Sequence, residues 1–336
     1  MIVINEAKAR KLIVHFHAKE SIISPDYLEC DSLISVPLAH VLLSRIIEAP
    51  GEFIFNHQVS LALNPVRMLM KAYFEGQKNL QELSEAIMKV LSSSEKNISE
   101  GQVYVVDFDQ VVLDGIECKA LGIFKIDRKQ PFIESDVSLR GMKMTLNEGV
   151  GKRDFNKGAL ILLPSDQEEM VLKVFQNHPD IKYWKNEFLD IRPLENEFYQ
   201  TKNTLDLYKD FALKGPTVLG KIDQMDLLNR TVDYFGNNNE YNQAEFEDEV
   251  LASSEIKQAF QVYKEDFEKK HGMAEISDQF AISKPAFKAA KKYIRSVIKL
   301  DRNFHVYVHG QRQEIERGYD EVRGKNFYKL YFDEES

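Results

Sequence analysis

Cysteine is nearly absent: the 336 residues hold two, Cys30 and Cys118. Two thiols in different segments cannot by themselves form a disulfide framework or a zinc cage, and such sparing use fits a reducing cytosol. No uninterrupted apolar run approaches the ~18 residues of a membrane span, so no membrane partner is expected. The opening MIVINEAKARKLIVHFH lacks a long apolar stretch and a small-residue cleavage pattern, so no secretory signal is expected. There is no G-x-S-x-G elbow and no G-x-G-x-x-G loop after a strand, which leaves hydrolase and dinucleotide-binding readings without support. Internal repeats and low-complexity tracts are also missing. So is an overall excess of positive charge: 44 Lys and Arg stand against 53 Asp and Glu, a net of −9. Taken whole, such a chain repels phosphate backbones and anionic membranes. What is present is apolar material, 43% of residues, beside 29% charged. That suffices for a sizeable core and excludes a wholly disordered chain.

The length suggests two domains. LIVHFH at 12–17 reads as a strand, with His15 and His17 on one face. Apolar spacing predicts helices over 33–48, stopped by Pro50-Gly51, and over 65–92. After Glu100 the sequence VYVVDFDQVVLDGIECKALGIFKI holds three short strand-like runs, and Asp114-Gly115 marks a tight hairpin turn. ALILLP at 159–164 is a further strand. Residues 1–195 therefore read as an α+β domain with a largely antiparallel sheet. Residues 196–336 read as a mainly helical domain with four helices, then a fifth, basic helix at 283–301 and a C-terminal hairpin at 304–332. The hairpin would pair FHVYVHG with KNFYKLYF.

Charge is distributed unevenly. Residues 236–275 carry four basic and ten acidic residues, whereas 284–302 carry seven basic and one acidic. Within the latter, Lys288, Lys291, Arg295, Lys299 and Arg302 recur at steps of three or four, which on a helix places them on one stripe about 20 Å long. Lys292 lies at its edge, and Tyr293 on the opposite side, facing the core. Such a stripe could neutralise several duplex phosphates. It could equally be a solvated face, or pair with the acidic stretch at 245–255.

Three weaker patterns carry less. Gly215 to Lys221 has phosphate-loop spacing, but Ile222 stands where a Ser or Thr should hold magnesium, and the preceding segment is helical and not a strand. A Gly/Pro turn between helices explains it. Asp107 or Asp109 with Glu117-Cys118-Lys119 resembles the spacing of metal-dependent nucleases, in which two carboxylates hold magnesium and the lysine steadies the attacking water. Charged residues on the wet face of a hairpin give the same pattern. The pairs His15/His17 and His305/His309 lack a neighbouring cysteine or carboxylate at ligand spacing, so no metal site and no cofactor is expected.

Several stretches together resemble one family. LIVHFHAKESIIS, VYVVDFD, FYQTKNTLDLYKDF at 198–211, YFGNNNEYNQAEFEDEVL at 234–251 and the block 280–321 are similar to the 37-kDa nucleoid-associated proteins of bacteria, most closely those of Bacteroidetes type. The resemblance spans essentially the whole chain, and 280–321 is its most specific part. It implies a cytoplasmic protein that sits with the nucleoid and is not an enzyme. It allows a topoisomerase or another nucleoid protein as partner, and it transfers no binding residues.

The combined expectation is a non-catalytic protein that binds or organises DNA, mostly without sequence preference, through Lys288, Lys291, Lys292, Arg295, Lys299 and Arg302. Homo-oligomerisation would add avidity. Two alternatives stand beside it. One is an interaction module that reaches the nucleoid through protein partners. The other is a cryptic metal-dependent nuclease.

Overall fold

The structure is a computed structural model. It describes residues 2–93, 98–138, 141–177, 183–215, 220–251, 253–271, 273, 275–294, 297–300, 304–307, 315–332 and 334. The chain divides into two compact units, Met1–Leu194 and Glu195–Ser336.

The first unit contains β1 (Ile2–Val3), β2 (Lys8–His17), β3 (Leu28–Glu29), α1 (Ser35–Glu48), β4 (Phe53–Phe55), α2 (Pro65–Phe74) and α3 (Leu80–Ser92). There follow β5 (Gly101–Leu113), β6 (Ile116–Ile126), β7 (Gln130–Ser138), β8 (Gly141–Gly149), β9 (Lys157–Pro164), β10 (Val171–Gln176) and β11 (Ile191–Pro193). Nine strands form one sheet in the order β11-β4-β10-β9-β6-β5-β2-β3, with β1 added against β5. Every pairing in it is antiparallel.

Alternation along the central strands buries both faces. Val103, Val105, Leu121, Ile123, Ala159, Ile161, Leu172 and Val174 meet α2, α3 and the π-helical turn Tyr183–Phe188. Their neighbours Val106, Phe108, Ala120, Phe124, Leu160, Leu162, Val171 and Phe175 meet α1. Helices on both faces explain why these antiparallel strands read as nearly continuous apolar runs, a composition more usual for parallel sheets. The β5–β6 turn is tight because Asp114 and Gly115 both adopt positive φ, 51° and 86°, the geometry that suits the twist of the flanking strands. Where three short strand-like runs are expected, the structure has two long strands. A bulge between Phe108 and Val111, with Gln110 at φ 59°, interrupts their pairing.

Strands β7 and β8 stand apart as a two-stranded hairpin, absent from the sequence expectation. Pro131 and the mixed polar content hide its alternation.

The second unit begins with α4 (Glu197–Lys214) and α5 (Lys221–Asn237), then β12 (Glu240–Asn242), α6 (Gln243–Phe246), α7 (Ser254–His271) and β13 (Gln279–Ala281). Its core is aromatic. Tyr208 is stacked between Phe246 and Phe260, with ring centroids 4.1 and 4.6 Å away, and its hydroxyl meets that of Tyr241 at 2.9 Å. The acidic segment expected as one helix is a single turn, α6, running into a π-helical turn at Glu247–Leu251.

The chain then forms α8 (Lys284–Lys291), β14 (Val297–Leu300), β15 (Phe304–Tyr307), β16 (Ile315–Asp320) and β17 (Lys325–Leu330). The fold class is α+β: an antiparallel N-terminal sheet, a mostly helical region, and hairpins at the C-terminal end. The partners differ from the expected ones. Phe304–Tyr307 pairs with Val297–Leu300, and Lys325–Leu330 pairs with Ile315–Asp320. Leu300, Val306, Ile315 and Tyr328 collect around Met225 of α5, so the two hairpins share one small apolar cluster. No described helix is long and apolar enough to cross a membrane.

Candidate functional site

Helix α8 starts where local chemistry directs. The Ser283 hydroxyl accepts from the Ala286 amide, and Pro285 sits in the first turn, where its missing N–H costs nothing. Ala286 and Ala290 are buried, and small side chains there let α8 lie close to α4. The helix is shorter than the 283–301 expected. Lys292 is its C-cap, and the amides of Tyr293 and Ile294 both return to the Ala290 carbonyl. Val297 and Ile298 then pair with Tyr307 and Val306. β-Branched residues gain more from an extended, cross-strand-paired backbone than from a further helical turn.

This breaks the predicted stripe. Lys288 and Lys291 share the last turn of α8, and Lys292 caps it. Lys299 lies instead on β14, opposite His305. Arg295 and Arg302 lie outside the described residues, as does His309. The lysines on α8 are exposed to water. The Lys284 ammonium donates to the Asn238 carbonyl at 2.7 Å, and that of Lys291 lies 5.8 Å from the Phe287 ring centroid. Among the described residues neither Lys288 nor Lys291 has an ion-pair partner. Their place in the last turn also suits the negative end of the helix dipole.

Tyr293 is not core. It is 40% exposed, its hydroxyl donates to Asp206 Oδ1 at 2.9 Å, and the Lys209 ammonium sits 4.5 Å from its ring centroid. Burial, then the Asp206 carboxylate, raises its pKa. Through this residue α4 brings Lys209, and Lys202 on Asp206, beside the end of α8. Sequence reading missed both lysines, although 202, 206 and 209 share one helical face. The acidic stretch is occupied elsewhere: Glu247 accepts from Gln243 and Gln261, and Asp248 pairs with Lys257.

The first unit holds a second concentration of charge. A cavity of about 640 Å³ is lined by Arg10, Tyr73, Lys78, Asp107, Asp109, Glu117 and Lys119 among others. Pairing is irregular on both strands of its floor, between Ala9 and Lys11 on β2 and beyond Phe108 on β5. The end of α2 and the start of α3 contribute Tyr73 and Lys78. α3 is held there by a capping box between Asn79 and Glu82. Buried Asp107 takes Arg10 Nε at 3.0 Å and Nη2 at 2.5 Å. This pairing raises the Arg10 pKa. Burial, followed by Asp107, raises that of Tyr73. The Lys119 ammonium donates to the Phe74 carbonyl at 2.6 Å.

The nuclease-like residues Asp107, Asp109, Glu117 and Lys119 therefore do meet in space. Asp107 is engaged by a guanidinium and Lys119 by a backbone carbonyl. No group of three described His, Cys, Asp or Glu side chains is arranged to hold a metal ion. His15 and His17 are buried in the sheet core, and His15 Nδ1 accepts from the Ser24 amide. Gly215 caps α4 and Gly220 precedes α5; residues 216–219, the rest of the phosphate-loop-like segment before Lys221, lie outside the described residues.

Comparison with known proteins finds no curated relative. The sequence model of one family, described as nucleoid-associated protein YejK, matches residues 46–330. That span takes in most of the sheet unit and nearly all of the helical unit, so the chain belongs to the nucleoid-associated protein YejK family.

Proposed function

We propose that this protein is a cytoplasmic, nucleoid-resident DNA-binding or DNA-organising protein without catalytic activity. It contacts duplex phosphates through the lysines at the end of α8, chiefly Lys288 and Lys291, with Lys292 adjoining. The observation that carries this reading is that Lys288 and Lys291 are exposed and lack an ion-pair partner among the described residues. Such cations are free to displace condensed counterions, a term insensitive to base sequence. Lys209 on α4, beside the end of α8, would extend the contact. The net charge of −9 opposes it everywhere else, so binding is weak and strongly salt-dependent.

A salt titration of duplex binding tests the proposal. Three to four phosphate contacts predict a log–log slope of about −2.7 to −3.6. Charge reversal of Lys288, Lys291 and Lys292 flattens that slope, while the duplex stays intact in magnesium or manganese. An unchanged slope in the triple variant refutes the assignment.

A second reading, recruitment by a protein partner such as a topoisomerase, is favoured by apolar side chains exposed at the C-terminal end, including Val322 and Phe332. Co-purification with nucleoid proteins that survives nuclease digestion and high salt would support it.

A further inference from the structure

The hairpin β7–β8 is an exposed arm. Nine residues on each strand pair in register, and nearly all are open to solvent. Its two faces differ sharply. Ile133 lies opposite Leu146, Ser135 opposite Met144 and Val137 opposite Met142; these residues make one continuous face. Phe132, Glu134, Asp136, Lys143, Thr145 and Asn147 make the other; Phe132, 49% exposed, lies near its base, and beyond it Asp136 faces Lys143 and the Asn147 amide donates to Glu134 at 2.8 Å. On the apolar face Ile133, Val137, Met142, Met144 and Leu146 are between 60% and 76% exposed. Glu148, at the base, is its only charge among the described residues.

A lone two-stranded ribbon is marginal in water. Ordering its backbone costs about 1–2 kcal/mol per residue, whereas a cross-strand pair returns roughly 0.2–1 kcal/mol. An amphipathic ribbon that no described residue of its own chain covers is a surface built to be covered by another.

We infer that the arm is a homodimerisation element, its apolar face packed against the same face of a second copy. Five large apolar side chains at roughly 100 Å² each expose about 500 Å² per copy. Two copies therefore remove about 1,000 Å², the threshold for specific association. The two strands are of equal length, with Ile133 and Val137 on one beside Met142, Met144 and Leu146 on the other, so a twofold axis can lay the face upon itself, the isologous arrangement commonest among oligomers. Charge selects this face in particular. A chain of net −9 resists meeting its own copy across acidic surface, and here the contact is almost uncharged. Methionines at two of the five positions adapt to fill the seam. Duplex DNA is a poorer occupant, since residues 130–149 carry two basic and three acidic residues. The inference does not depend on the lysines of α8.

The test is the solution mass of the full chain, by sedimentation or light scattering, across concentrations up to roughly 100 μM, above the weak dissociation constant that a minimal interface allows. The expected result is a reversible dimer. Val137→Glu with Met144→Glu should raise its dissociation constant at least ~100-fold. The unfolding transition of the sheet unit should stay in place, because both side chains face solvent in the single chain. Amide exchange in 130–149 should slow with concentration in the wild type and not in the variant. A wild type monomeric throughout, or a dimer that persists in the variant, overturns the inference.

Discussion

Removing either partner of the Arg10–Asp107 pair deletes the same contact, yet the two deletions should differ in cost. The Asp107 side chain is 6% exposed and that of Arg10 is 53% exposed. Asp107→Asn takes away the buried charge and leaves a guanidinium that can rehydrate. The loss is then close to that of a half-exposed ion pair, about 1 kcal/mol. Arg10→Ala leaves the carboxylate buried without its two donors. Breaking a fully buried pair this way costs about 3–5 kcal/mol. Because Asp107 borders a cavity of about 640 Å³ that can admit water, roughly 2–3 kcal/mol is expected here. The double variant should recover most of that difference, since a neutral amide in place of the carboxylate no longer needs a cation. Urea unfolding followed by tryptophan fluorescence reads this directly, because the only tryptophan, Trp184, lies in the core of the same unit. Slopes in urea should stay constant, so that midpoints report stability alone. If Asp107→Asn costs as much as Arg10→Ala, or the double variant is less stable than Arg10→Ala alone, the burial argument fails.

Two further outcomes follow from the sheet. Burial lowers the pKa of His15, and burial with Lys125 nearby lowers that of His17. The unfolded chain therefore binds more protons, and stability should fall as pH drops below about 6.5, by at most ~1.4 kcal/mol per unit for each histidine. Thermal melts from pH 7.5 to 5 should show this, and His15→Gln with His17→Gln should flatten the dependence. At Gly122 a Cβ would lie 2.3 Å from Phe124 Cε2 and 2.8 Å from Phe108 Cε2, whose rings meet edge to face; Gly122→Ala should cost about 1–3 kcal/mol by overpacking, measurable as a lower urea midpoint.

Local signals account for much of the first unit. The apolar runs ALILLP and VLKVFQ, the Asp114-Gly115 turn and the Asn79/Glu82 capping box are each written within a few residues. The arm β7–β8 is only half legible: Met142, Met144 and Leu146 alternate with polar residues as in a strand, but Pro131 and Ser135 interrupt the pattern on β7. The basic stretch departs from its local pattern at one point. Helical spacing runs unbroken from Lys288 to Arg302, yet Val297–Leu300 is extended, because it pairs with Phe304–Tyr307 and no local periodicity records that pairing.

The sequence by itself determined the α+β class, the uneven charge and the family, since composition, period and long characteristic blocks survive without coordinates. Only tertiary structure decided which cations share a surface and which carboxylates share a cavity. Arg10, Tyr73, Asp107 and Lys119 are far apart in the chain and meet because β2, β5 and β6 are neighbours beneath α2. Lys209 reaches α8 because two buried alanines let the helices approach. Contacts of this kind depend on packing between distant elements, and packing leaves no trace in the spacing of any one segment.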